Sequence, residues 1–263
     1  MAGSDPLLSV RGITVRFGGV LALEAVSFDV SRGGVCGLIG PNGAGKTTLF
    51  NCLSRLYRYQ EGELHFDGQS LDATPVHRVA DLGIGRTFQN LAMFGTMSVE
   101  QNVMVGAHCR TRAGFGSSAL RLPSVAREEV RVRERARETL AWLGLDAHAD
   151  RPVGDLPFGL QKRVELARAM VSDPKLLLLD EPAAGLNHEE LSSLERTIRD
   201  IRDRRGITVL LVEHQMSLVM SVSDRIVALN FGRKIAEGTP AEIQAHPAVI
   251  EAYLGAPAHG QTA

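Results

Sequence analysis

The sequence predicts an α/β fold, with a core of parallel strands, a small antiparallel sheet ahead of it and a helical insertion in the middle. Three observations point there. The short apolar runs "GVCGLIG" (34–40), "KLLLLDEP" (175–182) and "ITVLLVEH" (207–214) have the composition of strands buried on both faces. Helix-like segments alternate with them. From about 91 to 162 that alternation lapses and helical spacing takes over.

Taken in order, "LLSVRGITVRF" (7–17) and "ALEAVSFDV" (22–30) read as strands separated by Gly18 and Gly19. A buried strand over 34–40 leads through a glycine-rich turn into the helix "KTTLFNCLSRL", and "GELHFDGQSL" (62–71) is a further strand with a turn. In the insertion, "SVEQ" (98–101) is a capping box that opens a helix, and "RAGFGSSALRLPS" (112–124) is a loop. "REEVRVRERARETLAWLGL" (127–145) is a long helix with an apolar stripe of Val132, Ala136, Leu140 and Leu143; its many charges are expected on a solvated face.

"DLPFGLQKRVELARAM" (155–170) is a helix with Leu160, Val164 and Ala167, and then Val171, at helical spacing. Lys162 and Arg163 fall in its first turn. Backbone N–H groups already make that end electropositive, so the two cations call for an anion nearby. Beyond 163 strands and helices alternate again. "NHEELSSLERTIRDIRDRRG" (187–206) is a helix capped by Asn187 with Glu190 three residues on, striped by Leu191, Leu194, Ile198 and Ile201, and closed by Gly206. "TPAE" (239–242) joins a capping box to a proline at the first helical position.

At 263 residues the chain can bury a substantial core, and its composition is ordinary for a soluble globular protein. A net charge of −1 gives no whole-molecule attraction to nucleic acid or acidic membranes. Cys36, Cys52 and Cys109 are odd in number and lack metal-ligand spacing, as expected of reduced thiols. The start "MAGSDPLLSV" has no basic, apolar leader pattern, and no run approaches the roughly 20 apolar residues of a spanning helix. Contact with a membrane is therefore expected to go through a partner.

Gly40-Pro41-Asn42-Gly43-Ala44-Gly45-Lys46-Thr47, followed by Thr48, fits the phosphate-loop pattern G-x-x-x-x-G-K-[ST] and lies between a strand and a helix. The glycines let N–H groups face a β-phosphate, Lys46 supplies charge to the β- and γ-phosphates, and the Thr47 hydroxyl can ligate Mg²⁺. Asp180, at the carboxyl end of a parallel strand, is placed to provide a second oxygen for Mg²⁺. Glu181 follows it and can orient or deprotonate an attacking water. His214, at the end of the next strand, can hydrogen-bond the γ-phosphate and hold that water.

In this order the phosphate loop, Gln89 in "RTFQN", the stretch "LPFGLQ" (156–161), "LLLLDEP" and "VEH" resemble an ATP-binding cassette (ABC) ATPase over nearly the whole chain. "EPAAGLN", "VEHQM", "AEGTPAEI" and "HPAVIEAYLG" are similar to the ATP-binding proteins of branched-chain amino-acid importers. The resemblance implies a P-loop NTPase (RecA-like) core with an N-terminal antiparallel β-subdomain and an inserted α-helical subdomain. The expected divisions are an ATP-binding core over 6–90 and 163–235, a helical signalling subdomain over 91–162 and a C-terminal extension over 236–263.

It further implies that Phe17 stacks on adenine and that Gln89 touches Mg²⁺ or the attacking water. Two ATPase subunits would close over two ATP molecules, as a homodimer or a heterodimer with a paralogue, so that Gly159 approaches the ATP of the opposite subunit. The anion facing Lys162 and Arg163 would then be that γ-phosphate. Pro157 stands where the family has a serine and Leu160 where it has a glutamine, so this half-site is expected to work through backbone and helix dipole alone. "AGLN" (184–187) falls at the family's interface loop, with Asn187 in place of the usual Asp.

Partners implied are two transmembrane permease subunits at the cytoplasmic face of the cell membrane, an external solute-binding protein acting indirectly, and no nucleic acid. Leu91, Met93, Phe94 and Met97 in "FQNLAMFGTMSV" (88–99) form either a local core or a docking groove for a permease helix. The same motifs also suit a lipid or lipopolysaccharide exporter, an amide or urea importer, and an ABC ATPase working on DNA or the ribosome. A single cassette with a modest insertion counts against the last of these, and Glu181 with His214 counts against a non-hydrolysing regulator.

Overall fold

The computed structural model describes residues 5–87, 91–108 and 123–254. An antiparallel sheet comes first. Its strands β1 (Leu8–Phe17), β2 (Val20–Val30), β4 (Glu61–Phe66) and β5 (Gln69–Ser70) lie in the order β2-β1-β4-β5. A six-stranded sheet holds β3 (Val35–Ile39), β6 (Ile84–Arg86), β7 (Leu176–Asp180), β8 (Thr208–Val212), β9 (Arg225–Asn230) and β10 (Arg233–Gly238), ordered β10-β9-β3-β8-β7-β6. All its pairings are parallel except the β9-β10 hairpin at one edge.

The continuous apolar runs are explained by two cores, one on each face of this sheet. Leu176, Leu178, Leu210 and Val212 point toward the antiparallel sheet and toward Leu49, Phe50 and Leu53 of helix α1 (Lys46–Leu53). Leu177, Leu179, Val209 and Leu211 point the other way, into the helical layer. A strand clad on both sides has no polar position to alternate with, so it reads as "LLLL".

The helical layer contains α2 (Val99–Gly106), α3 (Pro123–Trp142), α4 (Phe158–Met170), α5 (His188–Arg205) and α6 (Met216–Val222), followed near the chain end by α7 (Pro240–Gln244) and α8 (Pro247–Leu254). Capping boxes form as the sequence indicates at Ser98, Asn187 and Thr239, and Gly206 ends α5 in the left-handed conformation. The stripe Val132, Ala136, Leu140 and Leu143 is buried.

The charges of α3 lie on a largely exposed face, and two of them also reach a partner: Arg133 and Arg137, both exposed, pair with Glu100, which is buried on α2 and needs cations to offset its desolvation. The expected boundary between 162 and 163 falls inside α4, so the insertion returns to the core along a continuous helix. There α2 crosses α4 so closely that a Cβ at Gly106 would overlap the carbonyl of Arg168. Residues 112–122 of the expected loop, together with Gln89 and Cys109, lie outside the described residues.

Candidate nucleotide site

Three neighbouring strands, β3, β8 and β7, end on the same side of the sheet and deliver three segments to one place. The loop 40–45 follows β3, Asp180 closes β7, and His214 lies just past β8. Gly45 caps α1 at φ 100°, and a Cβ there would come within 2.6 Å of Leu23 and 2.8 Å of the Ala22 carbonyl. Only glycine fits this conformation and this approach.

The Gly40 peptide is gripped from both sides: its N–H donates to the Tyr253 hydroxyl of α8 at 2.8 Å, and its carbonyl accepts from Lys46 Nζ at 2.6 Å. Lys46 Nζ also donates to the Pro41 carbonyl at 3.0 Å. Lys46 is buried, which pulls its pKa down, while the charges of Glu181 and Asp180 pull it back up. Asn42, Gly43 and Thr47 are exposed on the loop, Pro41, Gly45 and Thr48 are half-buried, and Ala44 is buried.

Asp180 is 2% exposed, and burial raises its pKa against the opposing pull of Arg86. Its Oδ2 accepts from Arg86 at 3.0 Å, while its Oδ1 is buried without a hydrogen-bond partner. A buried carboxylate oxygen with no hydrogen-bond donor, together with the exposed Thr47 that follows the neighbouring phosphate loop, is the donor chemistry of a hard divalent cation, and the residues present fit Mg²⁺. Glu181 Oε1 stands 3.5 Å from His214 Nδ1, with His214 half-exposed. Phe17 is 46% exposed and meets Tyr57 edge to face, with ring centroids 5.2 Å apart.

Arg86 is a residue that sequence reasoning passes over. Besides Asp180, it donates to Asn51 Oδ1 at 3.0 Å, Ser54 Oγ at 2.8 Å and the Phe50 carbonyl at 3.3 Å, and it lies over the Phe50 ring. It therefore ties the helix behind the phosphate loop to the strand carrying Asp180. Nothing local to "GIGRTF" announces this, because Asp180, Asn51, Ser54 and Phe50 are all distant in sequence.

The two cations of the "LPFGLQ" stretch find partners within the chain. Lys162 is buried, 3.9 Å from Glu165 Oε2 and 5.8 Å from the Phe158 ring centroid, and Arg163 donates to Ser193 Oγ at 2.5 Å. Glu190 Oε1 lies close enough to Gly159 that a Cβ there would clash with it, so a carboxylate already faces the start of α4. Leu160 is half-buried and packs against the core. Farther along, Phe94, Val105, Leu56 and Val76 are exposed and line one groove with Ala92. Asn102, fully buried, holds its rim by donating to the Phe94, Met97 and Ser98 carbonyls.

A strand-loop-helix phosphate cradle with an acidic strand end beside it, on a parallel sheet, defines a P-loop ATPase. The model of the ABC transporter family matches residues 23–184, and that of the branched-chain amino acid ATP-binding cassette transporters matches residues 233–259. The chain belongs to the ABC transporter family, whose ATP-binding cassettes hydrolyse ATP to power transport. It is 44% identical over 252 residues to the high-affinity branched-chain amino acid transport ATP-binding protein BraF of Pseudomonas aeruginosa, covering 96% of this chain and 99% of that protein. Identity and coverage are the same against LivG of Escherichia coli, which carries the same description. The ADP conformation of MJ1267, an ATP-binding cassette of an ABC transporter, superposes with a TM-score of 0.83 at 31% identity over 96% of this chain and all of that one.

Proposed function

We propose that this chain is the ATPase subunit of a branched-chain amino-acid importer, one of two such subunits, homologous or identical, that close over two ATP molecules. The observation that carries the substrate class is the C-terminal match over 233–259, reinforced by full-length similarity to BraF and LivG. The division into a core (6–90 and 163–235), a helical subdomain (91–162) and a C-terminal extension (236–263) belongs to this reading. Two permease subunits, fed by an external binding protein, would hold the chain at the cytoplasmic face of the membrane. The groove lined by Leu56, Val76, Phe94 and Val105 supports this, since four exposed apolar side chains on one concavity suit a permease helix. No helix among the described residues is long and apolar enough to cross a membrane.

In this reading water attacks the γ-phosphate in line, and catalysis is chiefly positioning and charge stabilisation. Phe17 stacks on adenine. The amides of residues 40–48 cradle the phosphates, and Lys46 leaves the Gly40 and Pro41 carbonyls for the phosphate oxygens. Glu181 accepts the proton of the water, and His214, at 3.5 Å from it, holds that water against the γ-phosphate. Thr47, Asp180 and Gln89 would hold Mg²⁺, which supplies charge compensation on the phosphates. Gly159 and the start of α4 serve the ATP of the opposite subunit through backbone and dipole, with Glu190 withdrawn from Gly159 as they do so.

Glu181→Gln tests the core of this reading. The variant should bind ATP normally, hydrolyse it about 10²-fold or more slowly and accumulate as a closed dimer on a sizing column. Turnover at the wild-type rate would sink the assignment of Glu181. Two permease chains and a second ATPase recovered with the tagged chain from membranes would support the importer.

A further inference from the structure

One buried acid near the site has no part in the chemistry above. Glu213 lies between Val212, the last residue of β8, and His214, and is 1% exposed. Its Oε1 accepts the Ala183 N–H at 2.7 Å, and its Oε2 accepts the N–H groups of His214 at 3.0 Å and Gln215 at 3.3 Å. A carboxylate removed from water needs compensation, and among the described residues no lysine, arginine or histidine pairs with this one. Three backbone donors provide the compensation instead.

Those donors belong to two segments. Ala183 lies two residues beyond Glu181 in the turn leaving β7, while His214 and Gln215 open the segment leading to α6. Glu213 therefore straps together the stretches that carry Glu181 and His214. Glu181 itself sits at φ 48°, a conformation unfavourable for a residue with a Cβ, and it needs surrounding contacts to stay there. Its N–H donates to the Val212 carbonyl at 2.9 Å, its carbonyl accepts from Ala184 at 3.2 Å, and the Glu213 carboxylate fixes Ala183, the second of the two residues between.

We infer that Glu213 is a positioning residue for ATP hydrolysis, whose carboxylate, by binding the backbone of both segments, sets the spacing at which Glu181 and His214 act on the attacking water. This rests on the roles proposed above for those two residues. Glutamine at 213 keeps the volume but turns one acceptor into an NH₂ group that faces an N–H, so one segment is released. Aspartate keeps the charge but, one methylene shorter, cannot span both.

The experiment measures ATPase turnover and ATP affinity in the assembled transporter. Glu213→Gln should lower kcat by about 10- to 100-fold, the scale of a sub-ångström to 1 Å misplacement. ATP affinity and KM should stay within about twofold of wild type, since neither segment forms the phosphate loop. Glu213→Asp should fail to restore kcat. In a His214→Ala background the further loss from Glu213→Gln should shrink to about twofold or less, because residues acting as a unit are not additive. Unchanged kcat in Glu213→Gln, rescue by Asp, an equal loss in both backgrounds, or a matching fall in ATP affinity would each overturn the inference. Wild-type rates in both Glu181→Gln and His214→Ala would instead overturn the catalytic reading and this inference with it.

Discussion

Arg86 couples the phosphate-loop helix to Asp180, and its removal should be felt in stability as a function of pH. The guanidinium is 10% exposed and the carboxylate 2%, with 3.0 Å between Arg86 and Asp180 Oδ2. In Arg86→Ala the carboxylate stays buried without the cation it is hydrogen-bonded to, and Asn51 Oδ1 and Ser54 Oγ lose their donor. Breaking a buried pair from one side costs about 3–5 kcal/mol. At about 2–4 °C per kcal/mol for a domain of this size, the melting temperature at neutral pH should drop by about 6–20 °C.

The sign with pH follows from Asp180. Burial already raises its pKa, and loss of Arg86 raises it further. A carboxyl whose folded pKa exceeds the unfolded value costs stability once pH rises above that unfolded value, and the cost is complete only above the folded pKa. The deficit of Arg86→Ala relative to wild type should therefore shrink as pH falls from neutral towards the ordinary carboxylate range, because protonated Asp180 no longer needs the cation. Thermal melts of the nucleotide-free chain across that range measure it. A drop below about 2 °C at neutral pH, or one independent of pH, would refute the reasoning.

Burial pushes the Cys36 thiol up to about 12 and the Cys52 thiol up to about 11, and both side chains are shielded. A thiol reagent at about pH 8 should leave both unmodified in the native chain and modify both after denaturation; rapid native labelling of either would contradict their burial. Gly106→Ala should cost about 1–3 kcal/mol in denaturant unfolding, since the new methyl overlaps the Arg168 carbonyl where α2 crosses α4, and wild-type stability would contradict that close crossing.

What the sequence discloses depends on how far apart the interacting residues are. The strands at 35–39, 176–180 and 208–212 are legible because burial on both faces leaves them uniformly apolar. The three capping boxes are legible because donor and acceptor are three residues apart. Strand β6 escapes notice since three residues carry no period. The β9-β10 hairpin turns through Phe231 and Gly232 at φ 44° and 77°, and a phenylalanine gives no signal of a left-handed turn residue.

The site divides along the same line. The phosphate loop, Asp180, Glu181 and His214 can be picked out from local pattern and strand ends. Arg86 and Glu213 cannot, because their partners lie 30 or more residues away for the contacts that matter. Lys162 lies between these cases. Glu165, three residues on, is visible in the sequence as a partner, but the fold of Phe158 over the ammonium is not, so a cation that invites an external anion is neutralised at home.

Lys46, bonded to the Gly40 and Pro41 carbonyls, gives the loop internal contacts that fix its shape. With Lys46 as a phosphate ligand, the loop is its own competitor: an incoming phosphate displaces two carbonyls from the ammonium, exchanging contacts more than adding them. Association need not wait for the loop to order, while retention is weakened by the pull of those same carbonyls on the cation. Fast loading and incomplete grip would suit a machine that must discard ADP on every stroke, and the device that would provide them spans the seven residues 40–46.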